Sequence, residues 1–96
     1  MSDCCKKTLR SEQERKKLLN RLNRIEGQIR GIKNMIETDC YCNDILIQSA
    51  AVTAAMNSFN KELIGSHMRT CVAKQLREGN DDVIEELTGT LQKLMR

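Results

Sequence analysis

The 96-residue chain contains no proline, and this constrains its fold more than any other single feature. Proline interrupts helices, and here apolar residues recur at helical spacing, most continuously from about residue 43 to residue 76, with Gly65 as the one weak point. The chain also has one Tyr, one Phe and no Trp, whereas β-sandwiches and barrels favour aromatic residues in strands and Pro in turns. We therefore predict an all-α fold.

The first predicted helix begins after a capping box. Ser11 is followed three residues later by Glu14, the spacing with which a serine hydroxyl caps a helix and a glutamate reaches back. An apolar stripe with alternating steps of four and three then runs to Ile36, and we expect the helix to end near Thr38. Residues 1–10 are predicted to be a flexible tail, and residues 11–96 a single domain.

Two more helices are predicted after this one. The second runs from Asn43 or Asp44 to Arg77, with Gly79 as its C-terminal cap. Asn80 is then the expected N-cap of a third helix, whose first turns are rich in acidic residues, as the helix dipole favours. Three long helices in so small a chain bury little core, so we expect the protein to form oligomers.

Cys42, His67 and Cys71 form the candidate metal site. His67 and Cys71 are four residues apart, which puts them on one face of a helix, although this spacing is also common on ordinary helix surfaces. Two thiolates and an imidazole suit Cu(I) best, or Zn(II) if a fourth ligand joins them.

Cys42 and His67 are 25 positions apart, or roughly 37 Å along one helix, so they cannot share a metal within one chain. Two antiparallel copies would bring Cys42 of one chain to His67 and Cys71 of the other, giving a C2 dimer with two sites. Small residues between Ser49 and Ala55 lie near the crossing point that this symmetry requires, although alanines are also simply good helix formers.

Charge is distributed unevenly along the chain. Residues 1–33 carry ten Lys and Arg against four Asp and Glu, whereas residues 34–96 carry six against nine. A basic first third is typical of a surface that binds a polyanion such as DNA, although Lys and Arg also commonly form a solvated helix face. On the first helix the candidate DNA-binding residues are interpreted as lying near one side, with further basic residues widening the area. Those near one side are Arg15, Lys17, Arg21 and Arg24, and those that widen the area are Lys16, Arg30 and Lys33, of which Lys33 is also a candidate DNA-binding residue.

Three segments of the chain resemble the copper-sensitive operon repressor family, and the match runs from about residue 15 to the C-terminus. They are Arg21-Leu22-Asn23-Arg24-Ile25-Glu26-Gly27-Gln28-Ile29-Arg30-Gly31-Ile32, Tyr41-Cys42-Asn43-Asp44-Ile45-Leu46 and Ser66-His67-Met68-Arg69-Thr70-Cys71-Val72. Members of this family are helical repressors without a helix-turn-helix, and their antiparallel dimers pair into tetramers based on a four-helix bundle.

The resemblance implies a role for each matching residue. Cys42 of one protomer and His67 and Cys71 of the other would bind one Cu(I) per protomer, and this would release operator DNA and derepress copper export and homeostasis genes. Tyr41 and Glu86 match an outer-shell pair that couples the metal site to the rest of the fold. Arg21 matches a DNA contact.

Three further thiols keep other signals open. Cys40 lies two residues before Cys42, and Cys4 and Cys5 lie in the tail. An added thiolate would favour Zn(II) or thiol chemistry, although all three thiols also fit unspecialised exposed residues. The family resemblance leaves a same-fold sensor of Zn(II), Ni(II), persulfide, thiol oxidation or an aldehyde as an alternative.

Two other functions fit the sequence less well. One is metal storage or delivery without DNA binding, which the basic first third argues against. The other is catalysis, which has little support, because one histidine cannot supply a di-metal helical bundle.

The expected location is the cytoplasm. There is no signal-like apolar run and no apolar stretch near the roughly 20 residues of a membrane span. Five cysteines in a reducing compartment then indicate metal or redox ligands rather than a disulfide framework. The expected partners are operator DNA and further copies of the chain, forming a homodimer or homotetramer, with no membrane and no small-molecule substrate.

Overall fold

The computed structural model describes residues 9–95, and within them every regular element is helical, which confirms the all-α prediction. Cys4, Cys5 and most of the predicted tail lie outside the described residues. No helix in the described part of the chain is long and apolar enough to cross a membrane. The elements are α1 (Glu12–Glu37), α2 (Cys42–His67), a π-helical turn (Met68–Val72), α3 (Ala73–Arg77) and α4 (Asp82–Leu94).

Ser11 caps α1 as the sequence predicted. The backbone N–H of Glu14 donates to Ser11 Oγ at 3.1 Å, and the N–H of Arg15 donates to the Ser11 carbonyl at 3.0 Å. The side chain thus satisfies one of the N–H groups that the first turn of a helix leaves without an intrahelical acceptor.

The C-terminus of α1 forms a Schellman motif that sets the start of α2. The N–H of Asp39 donates to the Ile36 carbonyl at 3.3 Å, and the N–H of Cys40 donates to the Met35 carbonyl at 2.9 Å. This geometry puts Asp39 at φ 57°, in the left-handed region that aspartate tolerates better than most residues with a side chain. Thr38 is the C-cap, in agreement with the predicted end of the helix.

A second Schellman motif ends α3, and here Gly79 confirms its predicted role with φ 82°. The N–H of Gly79 donates to the Leu76 carbonyl at 3.0 Å, and that of Asn80 to the Gln75 carbonyl at 2.9 Å. The prediction that Asn80 caps the next helix is wrong by one residue, since Asp81 occupies that position. Asn80 instead directs its side chain backwards, where Nδ2 donates to Gln75 Oε1 at 3.0 Å.

The predicted second helix is interrupted by the π-helical turn at Met68–Val72. The chain remains helical from Cys42 to Arg77, but it does so as two α-helices joined by this wider turn rather than as one. At this point the Thr70 hydroxyl donates to the Ser66 carbonyl at 2.7 Å, a type of bond that Thr53, Thr88 and Thr90 also make within regular α-helix. Turns of this kind occur frequently at functional sites.

The residues cluster into two compact units, one ending at Leu63 and the other beginning at Ile64. In the first unit α1 and the adjoining part of α2 lie antiparallel, joined by an ion pair of 2.6 Å between Lys17 Nζ and Glu62 Oε1. Leu18 and Ile25 of α1 are buried there. In the second unit the buried residues are Ser66, Val72 and Val83.

Candidate metal ligands and nucleic-acid surface

Cys42 is the first residue of α2, and its side chain is exposed. The preceding residue anchors the helix start, since the Tyr41 carbonyl accepts the N–H groups of Asp44 at 3.0 Å and Ile45 at 3.2 Å. A thiolate on Cys42 would therefore stand at a helix N-terminus, where the helix dipole favours negative charge. The exposure of this side chain suits a metal ligand that shares its metal with residues of a second chain.

His67 and Cys71 lie where α2 gives way to the π-helical turn. His67 is the last residue of α2, Cys71 is within the turn, and both are half-buried. Thr70 Oγ1 lies 3.7 Å from Cys71 Sγ, while its proton is directed to the Ser66 carbonyl. The sequence predicted these two ligands on an unbroken α-helix, and the structure places them at a change of helix type.

A single chain does not assemble the three candidate ligands on one metal. Cys42 and His67 begin and end the same 26-residue helix, so about 37 Å of helix separates them. Accordingly, no group of three His, Cys, Asp or Glu side chains among residues 9–95 is arranged to hold a metal ion. The donor set itself, two thiolates and one imidazole, is chemically suited to Cu(I), provided that a second chain completes it.

One exposed stripe of α2 starts at Cys42 and points along the helix towards His67. Its members are spaced alternately by four and three residues, which keeps them on one face. The stripe includes large apolar side chains that water reaches: Leu46 is 66% exposed and Met56 is 38% exposed. The members of this stripe are Cys42, Leu46, Ser49, Thr53 and Met56.

Tyr41 and Glu86, the predicted outer-shell pair, are both exposed. Tyr41 precedes α2 with 73% of its surface accessible. Glu86 lies on α4, where its backbone carbonyl accepts from Thr90 Oγ1 at 3.1 Å. Their coupling role stays a prediction.

Cys40 lies in the turn that ends α1, two residues before Cys42. Its thiol is exposed, and Cys40 Sγ lies 3.5 Å from Thr38 Oγ1. The side chain is therefore available as a further thiol, as the sequence suggested, and its participation in any metal or redox chemistry stays a prediction.

The predicted DNA-binding residues do not share one side of α1. Arg15 and Arg24 are nine residues apart, or two and a half helical turns, which places them on opposite sides, and Lys33 falls on the side of Arg15. Among the described residues, basic side chains of α1 line at least two separate concave surfaces. One is lined by Arg15 and Lys16, with Asn20 and Asn23 beside them.

The other surface lies between α1 and α2. It is a pocket of about 190 Å³ lined by Arg21, Arg24, Gln28, Ala55 and Ser58. Next to this pocket is a residue that the sequence reasoning missed. Glu62 pairs with Lys17 at 2.6 Å, and its Oε2 is 4.0 Å from Arg21 Nη2. Only the packing of the two helices reveals this acidic neighbour, since nothing in the spacing of residues 17, 21 and 62 predicts it.

Comparison with known proteins identifies the context of these residues. The family described as metal-sensitive transcriptional repressor matches residues 14–93. The copper-sensing transcriptional repressor CsoR of Bacillus subtilis is 44% identical over 88 residues, covering 91% of this chain and 87% of that protein.

Two of the solved structures that resemble the chain are each 36% identical to it in sequence. The Cu(I)-bound copper-sensing repressor CsoR of Geobacillus thermodenitrificans has a TM-score of 0.88 and covers 94% of this chain and 95% of its own. The nickel-responsive transcriptional regulator InrS has a TM-score of 0.69, covering 91% and 96%.

Proposed function

The chain belongs to the metal-sensitive transcriptional repressor family, and on that premise we propose that it is a Cu(I)-responsive repressor. Metal-free protein binds operator DNA, and protein that has bound Cu(I) releases it, so that copper export and homeostasis genes are expressed. The family consists of repressors, not enzymes. Acting on operator DNA places the protein in the cytoplasm.

The observation that carries this proposal is the division of a Cu(I)-type donor set between the two ends of α2. Two copies of α2, paired antiparallel along the exposed stripe, would bring Cys42 of one chain to His67 of the other. The centre of such a pair falls between Thr53 and Met56, which belong to that stripe. Each C2 dimer then has two identical sites, with one Cu(I) per protomer.

Further exposed apolar side chains in the first unit support assembly beyond the dimer. Ile29 and Ile36 of α1 are 44% and 60% exposed, and Ile47 of α2 is 57% exposed. Ile47 follows Leu46 by one residue, about 100° around the helix, so it lies off the dimer stripe. Covering these side chains in a homotetramer based on a four-helix bundle removes apolar surface from water.

The residues in the site have distinct tasks. Cys42 and Cys71 supply thiolates and His67 a neutral imidazole, so binding is tied to their loss of protons. A ligating histidine usually donates its other ring N–H to an acceptor, and Glu86, directly or through Tyr41, is the proposed partner. Bound Cu(I) would supply a fixed link between the ends of two antiparallel helices, and operator affinity and metal affinity must then weaken each other equally.

The test measures binding of the full chain to the DNA upstream of its own gene by fluorescence anisotropy. The measurement is made under anaerobic reducing conditions, with and without one Cu(I) per protomer. Tight binding that Cu(I) abolishes is expected, and Cys42→Ala should bind DNA but no longer release it. Operator binding that Cu(I) does not change would refute copper as the signal but would still support the repressor function.

A nickel-responsive function is the second candidate, because the structurally similar InrS is described as nickel-responsive. The donor set argues for copper, since soft thiolates select Cu(I) and two of the three candidate ligands are cysteines. Competition titrations of the protein with Cu(I) and Ni(II) against chelators separate the two. A higher potency of Ni(II) in releasing DNA would favour the second candidate.

A further inference from the structure

Glu62 introduces a negative charge among the basic residues of the α1–α2 surface. Its carboxylate lies 2.6 Å from Lys17 Nζ and 4.0 Å from Arg21 Nη2, and its side chain is only 31% exposed. Both cations belong to α1, whereas Glu62 belongs to α2, so the contact is set by the packing of two helices. It differs in this from the exposed pair of Glu26 and Arg30 within α1.

The two cations are not held equally. Lys17 makes the short contact, while Arg21 lies at the outer limit of an ion pair. Within the described residues Arg21 Nε is buried and has no hydrogen-bond partner. Arg21 also lines the pocket of about 190 Å³ together with Arg24, Gln28 and Ser58, each of which carries a hydrogen-bond donor. The Arg21 side chain is 35% exposed, so part of its guanidinium can receive an oxyanion in the pocket, while the nearby Glu62 carboxylate pairs more closely with Lys17.

We propose that Glu62 is an internal competitor of DNA phosphate: its carboxylate holds Lys17 and weakly restrains Arg21, and a backbone phosphate seated in the α1–α2 pocket takes its place on Arg21. This rests on the proposed binding of operator DNA. Glu62 thereby lowers the affinity of the metal-free protein for any duplex and makes that binding less sensitive to salt. Such a restraint keeps the affinity for operator DNA in a range from which a modest allosteric change can release the DNA.

The expected magnitude follows from counterion release. Each additional phosphate neutralised by a cation makes the slope of log K against log salt steeper by about 0.9. At an ionic strength of ~0.15 M, one freed cation then corresponds to about 5-fold tighter binding. Freeing both Lys17 and Arg21 would give about 30-fold.

The test compares Glu62→Gln with the wild-type chain by fluorescence anisotropy on an operator duplex and a scrambled duplex, over a salt series. We expect about 5-fold to 30-fold tighter binding to both duplexes and a slope steeper by about one or two counterions. The control is Glu26→Gln, which makes the same change of charge on an exposed ion pair within α1 and should change affinity less than about 2-fold.

A second background assigns the gain to the two cations. In Lys17→Gln/Arg21→Gln protein, Glu62→Gln should leave DNA affinity unchanged, because no cation remains to be freed; low salt keeps this variant measurable. Circular dichroism and elution volume establish that each variant retains fold and assembly.

The outcomes separate this inference from the proposed function. An equal gain with Glu26→Gln, or a full gain in the background without the two cations, would overturn the role of Glu62. Wild-type protein that does not prefer operator over scrambled DNA would instead count against the repressor function, while the effect of Glu62→Gln on both duplexes still decides the present inference.

Discussion

Truncation of Leu46 tests whether the exposed stripe of α2 is the dimer interface. Leu46 is 66% exposed in the single chain, and full burial of a leucine contributes about 1.5–3 kcal/mol. Covering the exposed two thirds is therefore worth about 1–2 kcal/mol, and a symmetric interface contains the residue twice. Leu46→Ala should weaken the dimer by about 2–4 kcal/mol. The lower value is expected because alanine keeps a methyl group, and it corresponds to a dimer Kd raised about 30-fold or more.

The assay is a dilution series of labelled protein by analytical ultracentrifugation, with wild type and two variants. Ile47→Ala is the matched control, because Ile47 is similarly exposed at 57% but points about 100° away from the stripe. Because Ile47 belongs to the surface proposed to be covered in the tetramer, Ile47→Ala should weaken the tetramer but leave the monomer–dimer constant within about 3-fold. Equal weakening by both variants, or an unchanged constant for Leu46→Ala, would refute the pairing of α2 along this face.

Three further predictions concern the caps and the site. Gly79→Ala should lower the free energy of unfolding by about 1 kcal/mol, because φ is 82° at this position. Gly89→Ala should raise the free energy of unfolding by a similar amount, because Gly89 lies in the middle of α4 with open space around the new methyl group. Thermal unfolding measures both changes. Glu86→Ala should bind Cu(I) nearly as tightly as wild type but no longer release DNA, and metal-induced release at the normal Cu(I) level would contradict its coupling role. Cys40→Ser should keep both Cu(I) affinity and release, as titrated anaerobically, and loss of either would make Cys40 part of the site.

The helical elements were predictable because their signals are local. Ser11 with Glu14 marks the start of α1, and Gly79 marks the end of α3, since hydrogen bonds over three to five residues determine both. Asp39 carried no comparable signal: an aspartate at a left-handed position is compatible with many local structures, so the turn was predicted but its Schellman geometry was not.

Features that depend on competition or packing were not predictable. The π-helical turn at Met68–Val72, where the Thr70 hydroxyl takes the Ser66 carbonyl, is a change that apolar periodicity does not register. The contact of Glu62 with Lys17 depends on how α1 and α2 pack, which no spacing along the chain encodes. The grouping of Arg15 with Arg24 on one side was wrong, because nine residues turn a helix through two and a half turns.

A site divided between two chains couples metal sensing to assembly. Cys42 and His67 terminate one helix, so the proposed Cu(I) site exists only in the dimer, and any free energy that Cu(I) gains on binding also stabilises the dimer. Leu46→Ala leaves all three ligands intact and should nevertheless make Cu(I) affinity depend on protein concentration, falling as the variant is diluted below its dimer Kd. A ligand set that closed within one chain would give a concentration-independent affinity in the same variant. The Cu(I) titration of the Leu46→Ala variant therefore decides whether the site is shared between two chains, although Leu46 itself touches no metal.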